Sequence, residues 1–89
     1  MVFDEIVCNF DDVSIKVENH GTITKLFVNN ELKDQWKSLF ASPVKARILK
    51  VYDYPFKSGS KTIEVYNRGI FSNKFMICVN GEHIGGVKI

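Results

Sequence analysis

Alternation of apolar and polar residues, carried by a unit that occurs twice, constrains this chain more than any other feature. Residues 13–17 place valine or isoleucine at every second position, with Ser14 and Lys16 between them, as in a strand buried on one face. A turn-like ENHG follows, and a second apolar run over residues 23–28 ends at Asn29-Asn30. Because asparagine tolerates positive φ, this pair predicts a two-residue hairpin turn.

The second copy of the unit lies in the other half of the chain. Residues 62–65 match residues 14–17 in type, and Asn67 and Gly69 match Asn19 and Gly21 in identity and spacing. A hairpin turn is then predicted at Asn80-Gly81, the dipeptide most typical of such turns. Each unit buries one face and needs a second layer to cover it. We therefore predict an all-β fold, a compact antiparallel β-sandwich of about seven or eight short strands built from two similar hairpin units.

The remaining segments add strands to these units. Residues 3–9 alternate and lead into FDDV, which predicts a further strand and turn. Residues 44–54 predict another strand, placed after Pro43 because proline cannot donate a hydrogen bond within a sheet. The stretch YPFKSGSK at residues 54–61 is rich in turn formers and predicts a long turn. Gly85-Gly86 predicts a bulge or kink before a last short strand.

Residues 31–40 leave two structures open. The apolar side chains at positions 32, 36, 39 and 40 would share one face of a helix, whereas alternation up to Trp36 fits a strand. The alternative fold is therefore α+β, with one short helix near residues 31–40. Trp36 is the only tryptophan, and we expect it to be structural and at least half buried. The predicted core includes Ile15, Val17, Phe27, Val65, Phe75 and Ile77.

Size and composition describe one small globular domain. The 89 residues, 45% of them hydrophobic and 25% charged, predict a single domain over residues 1–89. No stretch approaches the roughly 20 apolar residues that span a bilayer. Asp4 and Glu5 stand where a signal peptide carries basic residues, so we expect a cytoplasmic protein. Cys8 and Cys78 lie in apolar surroundings and are expected to be reduced core thiols.

The net charge of +2 conceals an asymmetry between the two halves. Residues 1–44 hold four basic and seven acidic residues, and residues 45–89 hold eight basic and three acidic residues. Charges scattered over the solvated surface explain this distribution, but a dipolar surface could also steer an acidic partner or pair with a second copy of the chain.

Three segments of the hairpin units resemble a known family. They are IKVENHG and KLFVNNELKDQW in the first half and TIEVYNRGIFSNKFMICVNGEHI in the second, together covering roughly residues 8–84. This pattern resembles the Fas apoptotic inhibitory molecule family, from which the extra YDYPFKSG departs. The resemblance implies an antiparallel β-sandwich, a strand at ELKDQW, and a non-enzymatic role in protection from cell death and protein aggregation through binding other proteins. The chain would match one of the two sandwich domains of such proteins, and no residue role is carried over.

The sequence offers no catalytic or metal-binding pattern. His20 and His83 are the only histidines, and no Cys-x-x-Cys, His-x-His or His-Glu-x-x-His spacing occurs. Cys8 with either histidine would be a nucleophile and its base, but nothing nearby supports that pairing. We therefore expect no enzyme, no catalytic residue, no metal and no cofactor.

Residues 50–61 carry the candidate partner-binding site, which consists of Tyr52, Tyr54, Phe56 and Lys57. Aromatic residues are enriched at protein interfaces, and loops on a rigid scaffold often carry function. Tyr54 is expected to face outward because Pro55 fixes the backbone after it. The simpler interpretation is that two of the rings close one end of the core.

Three functional interpretations remain open. The first is a small non-enzymatic protein-binding β-domain that binds another protein or itself through this aromatic segment and its edge strands. The second is a nucleic-acid-binding β-domain that stacks bases on the same rings beside lysines, against which the modest net charge argues. The third is a small inhibitor protein of viral type, with which the size is compatible.

Overall fold

The described residues of the chain form eight strands in two antiparallel sheets. The computed structural model describes residues 4–21, 23–37, 49–68 and 74–88. The strands are β1 (Asp4–Phe10), β2 (Val13–Asn19), β3 (Ile23–Val28), β4 (Glu31–Lys37), β5 (Leu49–Phe56), β6 (Gly59–Arg68), β7 (Lys74–Val79) and β8 (Glu82–Gly86). Their order is β1-β2-β3-β4 in the first sheet and β5-β6-β7-β8 in the second. The predicted all-β sandwich is confirmed. The described ranges contain no helix long and apolar enough to cross a membrane.

The two sequence copies occupy equivalent places, one in each sheet. Asn29 Oδ1 accepts the Ser14 backbone N–H at 3.0 Å, and Asn80 Oδ1 accepts the Thr62 backbone N–H at 2.9 Å. In both cases the turn asparagine also donates its own N–H to the carbonyl of that same residue. Each turn asparagine therefore extends the hydrogen bonding of the hairpin that precedes it, which is β2–β3 for Asn29 and β6–β7 for Asn80. The predicted repeat is confirmed as one unit per sheet.

The tight turns form because their residues adopt positive φ. Asn29 and Asn30 have φ values of 50° and 64°, and Asn80 and Gly81 have values of 49° and 82°. The FDDV turn is of the same kind, with φ values of 49° and 61° at Asp11 and Asp12. Two consecutive residues with positive φ match the right-handed twist of the flanking strands. The turns predicted at Asn29-Asn30 and Asn80-Gly81 are therefore confirmed.

The core lies between the inner faces of the two sheets. The prediction was correct for five of its six residues but wrong for Phe27. Leu26 is completely buried, whereas Phe27 next to it faces the outside of the first sheet beside Lys16. A run of consecutive apolar residues does not define which of them point inward. Within the described ranges, the buried residues of the hydrophobic core are Val13, Ile15, Val17, Leu26, Val28, Leu49, Phe56, Ile63, Val65, Phe75, Ile77 and Val79.

Residues 31–37 form strand β4, as the resemblance implied, and not a helix. Residues 38–40 lie outside the described residues. Trp36 pairs with Thr24 of β3 and packs against the core, so the prediction that Trp36 is at least half buried is confirmed. Lys33 is an extra residue at a bulge in β4, because Phe27 pairs with Leu32.

The long turn predicted at residues 54–61 is wrong. β5 continues to Phe56 and β6 begins at Gly59, so that only Lys57 and Ser58 join them. The strand predicted at residues 44–54 is observed from Leu49 onward, and residues 44–48 lie outside the described residues. Pro55 fits within β5 because this strand is at the edge of its sheet, where a missing N–H costs no ladder hydrogen bond.

The edges of the two sheets meet along two seams. Along one seam, Gly85 of β8 lies against Cys8 of β1, so closely that a Cβ on Gly85 would lie 2.7 Å from the Cys8 Cβ. Ile84 is unpaired between His83 and Gly85, which places a bulge directly before the predicted glycine pair. The short strand predicted after this pair is not observed at residues 87–88, because β8 ends at Gly86. Along the other seam, Asp34 Oδ2 of β4 accepts the backbone N–H of Lys50 of β5 at 3.2 Å.

Replacing Trp36 by alanine is expected to prevent stable folding. Truncation of a packed tryptophan typically costs ~3–5 kcal/mol, which is comparable to the whole free energy of unfolding of a domain this small. The measurement is urea unfolding followed by circular dichroism. Tyr52→Ala is the matched control. Because Tyr52 is 68% exposed, its replacement should leave the free energy of unfolding nearly unchanged. A Trp36→Ala chain as stable as the wild type would contradict this role.

Gly85→Ala is expected to lower the free energy of unfolding by roughly 1–3 kcal/mol, because the added methyl group overpacks the seam against Cys8. Cys8→Gly removes both side-chain atoms that would clash. The double variant should therefore lose less stability than the sum of the two single variants, as measured by urea unfolding. Additive losses would show that the seam adjusts without strain.

Candidate interaction surface

A bulge divides the candidate partner-binding segment on β5. Val51 pairs with Ile63 and Tyr54 pairs with Lys61, so Tyr52 and Asp53 together oppose the single residue Thr62. Asp53 adopts a left-handed φ of 52°. Such a bulge shifts the alternation of side chains by one residue and thereby changes which of them face the core.

Tyr54 and Phe56 belong to the closed end of the core. Phe56 is only 5% exposed and makes edge contacts with Phe10 and Tyr54, with ring centroids 5.1 and 4.9 Å apart. Tyr54 packs against the core, and its hydroxyl accepts a 3.4 Å hydrogen bond from Asn29 Nδ2. The prediction that Tyr54 faces outward is therefore wrong. After the bulge it is Pro55 that faces solvent, and the residues on either side of it turn inward.

Tyr52 is the exposed aromatic residue of the segment. Its side chain is 68% exposed, and Lys50 Nζ lies 5.7 Å from the centroid of its ring. A cation at this distance is attracted to the face of an aromatic ring. Asp53 beside it is exposed as well. The structure therefore separates Tyr52 from the other two rings, which the sequence had grouped together.

Lys57 takes part in a contact between the turns of the two sheets. Its ammonium donates to Asp12 Oδ2 at 2.6 Å, although both side chains are mostly exposed. The neighbouring Ser58 donates both its backbone N–H, at 3.0 Å, and its hydroxyl to Asp11 Oδ2. The hydroxyl, the N–H and nearby lysines lower the pKa of Asp11 below its ordinary value. We call this contact the turn clasp, formed by Asp11, Asp12, Lys57 and Ser58.

A polar cluster on the outer face of the second sheet was not identified from the sequence. Glu64 of β6, Cys78 of β7 and His83 of β8 lie directly opposite one another in the register. The Tyr66 hydroxyl donates to Glu64 Oε2 at 2.5 Å, which together with desolvation raises the pKa of Tyr66 to about 12. These residues lie side by side only because of the register of three strands, and no local sequence pattern predicts their proximity.

Neither cysteine is activated as a nucleophile. Both are free thiols, as expected, and burial raises the pKa of Cys8 and of Cys78, with the charge of Glu64 adding to the effect at Cys78. A thiol with a raised pKa holds little thiolate near neutral pH. Within the described residues, no three histidine, cysteine, aspartate or glutamate side chains are grouped as metal ligands.

Comparison with models of protein families, with curated protein sequences and with solved structures finds no match in any of the three. The resemblance to the Fas apoptotic inhibitory molecule family therefore stays a prediction.

Alkaline pH is expected to weaken the fold through Tyr66. The pKa of Tyr66 is raised from 10.0 to about 12 in the folded chain, so the protonated hydroxyl contributes to the free energy of unfolding. This contribution is complete below pH 10 and is lost as the pH rises toward 12. The measurement is the ultraviolet absorbance of tyrosinate during titration of the wild type and of Tyr66→Phe, which should lack the highest transition. In Glu64→Gln this transition should move down toward the ordinary value. A Tyr66→Phe curve that retains the high transition would contradict the assignment.

Proposed function

We propose that this chain is a small non-enzymatic β-domain that binds another protein, and that Tyr52 is the central contact of the binding surface. The observation that carries the proposal is the 68% exposure of this ring at a bulge on an edge strand. Tyrosine presents a large contact area with few rotatable bonds, so it loses little conformational entropy when a partner covers it.

The surroundings of Tyr52 support a pre-organised surface. On its C-terminal side, Tyr54 and Phe56 are anchored in the core, and the turn clasp fixes the end of the hairpin. On its N-terminal side, the Lys50 backbone is hydrogen bonded to Asp34 of the other sheet. The loss of conformational entropy on binding is small when the contact residue is already held in place by a rigid scaffold.

The arrangement favours a protein partner over a single-stranded nucleic acid. Base stacking on several successive rings would require them to be exposed together, but Tyr54 and Phe56 face the core. Lys57 pairs with Asp12, and Lys61 lies 5.8 Å from the Phe10 ring, so two lysines of the segment are engaged with the scaffold. The partner-binding role predicted for Phe56 therefore moves to Tyr52 and the exposed residues around it.

The edge strands are less suited to pairing with a strand of a partner than the sequence suggested. β5 is interrupted by its bulge and by Pro55, and β8 is interrupted by the bulge at Ile84. On β4, Asp34 pairs with the fully buried Leu26 and so places a carboxylate on the inner side of an edge. Bulges, prolines and inward charges are the features by which native sheets prevent strand addition. Recognition through a side-chain surface is therefore favoured over strand pairing.

Two tyrosine variants test the proposal in opposite directions. Tyr52→Ala is expected to leave the melting temperature nearly unchanged and to reduce recovery of the proteins that the wild-type chain captures from its source cell by about tenfold or more. Tyr54→Ala is expected to lower the melting temperature, because its ring packs on Phe56. Captured proteins are identified by mass spectrometry, with and without nuclease treatment. Unchanged recovery by Tyr52→Ala, or loss of all captured proteins after nuclease treatment, would overturn the proposal.

A further inference from the structure

An apolar row crosses all four strands on the outer face of the first sheet. It consists of Val7, Lys16, Phe27 and Leu32, each directly opposite the next in the register. Val7 and Leu32 at its two ends are 53% and 45% exposed. The Lys16 ammonium lies 4.8 Å from the centroid of the Phe27 ring and 3.1 Å from Glu18 Oε2, so its charge is compensated. The lysine stem therefore continues the row between its apolar neighbours.

Charges of opposite sign lie beside this outer apolar row. The next row of the same face runs Glu5, Glu18, Lys25 and Gln35 from β1 to β4. The β1 and β2 positions are thus acidic, and the β3 position is basic. The Lys25 ammonium has no hydrogen bond or ion pair with any described residue. The Glu18 carboxylate, in contrast, is bound by Lys16 and His20, which are its neighbours along the chain.

We propose that this face binds a second copy of the chain, forming a two-fold symmetric dimer. When the two-fold axis runs parallel to the strands, β1 of one copy faces β4 of the other, and β2 faces β3. Val7 then lies opposite Leu32 of the second copy, and Phe27 lies opposite Lys16. In the flanking row Glu18 lies opposite Lys25 of the second copy. The same axis repeats each contact, so the apolar rows coincide and both copies of the charge pair are of opposite sign.

The alternative two-fold axis, which runs across the strands along the row, gives no such match. It would place Lys16 opposite itself and would not bring Glu18 to Lys25. The charge pattern of this face therefore selects one orientation for the pairing, with the two sheets stacked and their strands aligned, as in packed sheets generally.

The size of the face predicts a weak dimer. Four strands about 4.8 Å apart, with six or seven residues at about 3.3 Å each, give a footprint of roughly 400 Å² per copy. Stable complexes bury about 800 Å² per partner. We therefore expect a dissociation constant between roughly 10 μM and 1 mM, which is within the range of sedimentation velocity and of diffusion measurements by nuclear magnetic resonance.

This inference goes beyond the proposed function and does not depend on it. Tyr52 belongs to the second sheet, whereas the outer apolar row belongs entirely to the first sheet. A dimer formed through the row leaves Tyr52 uncovered. Failure of one proposal therefore leaves the other standing.

The first experiment measures the association of the full chain over a concentration series. The wild type is expected to pass from monomer to dimer, and Leu32→Glu is expected to remain monomeric at every concentration, because it places a charge on the apolar row. Tyr52→Glu is the matched control, since it introduces the same charge at an exposed ring on the other sheet and should dimerise as the wild type does. A monomeric wild type, or a dimer that survives in Leu32→Glu, would overturn the proposal.

The second experiment tests the orientation by charge reversal. Glu18→Lys alone places its new lysine opposite Lys25 of the second copy, and Lys25→Glu alone sets two glutamates opposite each other. Each variant should therefore dimerise roughly tenfold more weakly than the wild type. In an equimolar mixture of the two variants, a heterodimer removes the repulsion between the two copies. The repulsion within each copy, where residues 18 and 25 also face each other, is present in monomer and dimer alike. The mixture should therefore associate more strongly than either variant alone.

The controls for net charge are Glu82→Lys and Lys74→Glu, two exposed positions on the second sheet. They change the total charge as the test variants do and should leave dimerisation unchanged. Melting temperatures confirm that each variant is folded, and Glu18→Gln replaces Glu18→Lys if the latter is not, with a smaller expected weakening. If the mixture associates no better than its separate components, the proposed orientation is wrong.

Discussion

The packing of the two sheets against each other is the contact on which the rest of the structure depends. Each sheet has an apolar inner face, and this face is removed from water only when the second sheet covers it. Ile15 and Ile63, which occupy equivalent places in the two copies, are both completely buried at the centre of the contact. Burying one such side chain is worth about 1.5–3 kcal/mol, and a four-stranded meander alone leaves all of its inner side chains exposed. Neither half of the chain therefore has a core of its own.

Closure of the ends and seams follows from this central contact. The turn clasp and the rings of Phe10 and Phe56 cover one end of the sandwich, and Gly85 allows β8 to approach Cys8 along one seam. These contacts use most of the chemically distinctive side chains for the scaffold. Among the described residues, the exposed large hydrophobic side chains are Tyr52 on the second sheet, Val7 and Leu32 of the outer apolar row on the first, and Val87 after β8. Because the two surfaces belong to different sheets, a bound partner and a second copy of the chain would not compete.

The polar cluster on β6–β8 shows how strand register places chemically reactive residue types beside one another. Glu64, Cys78 and His83 come together through register, yet burial and the neighbouring carboxylate keep the Cys78 thiol protonated. The strongest perturbation belongs to Tyr66, whose hydroxyl serves as a donor to Glu64. This hydrogen bond links two residues of β6 that share the outer face of the second sheet.

The sequence by itself determined most of the strands, the turns at Asn29-Asn30 and Asn80-Gly81, and the repeat, because these depend on local requirements. Alternation selects a half-buried strand, and Asn29-Asn30 and Asn80-Gly81 tolerate the positive φ that a two-residue turn demands. Trp36 was also correctly predicted to be at least half buried, although the residue pattern left residues 31–40 open between a helix and a strand. Such features are decided by residues a few positions apart and can be read without knowing the partner strands.

Only the tertiary structure decided which side chains of an apolar run face the core and which face solvent. The bulge at Tyr52 and Asp53 turns Tyr54 inward and leaves Tyr52 outside, contrary to the sequence-based expectation. In the same way, pairing with β2 and β4 places Phe27 in the outer apolar row and Leu26 in the core. A shift of one residue in register exchanges the two faces of a strand, and register is set by contacts with distant strands. The candidate surfaces depend on these shifts, so they could be seen only once both sheets were assembled.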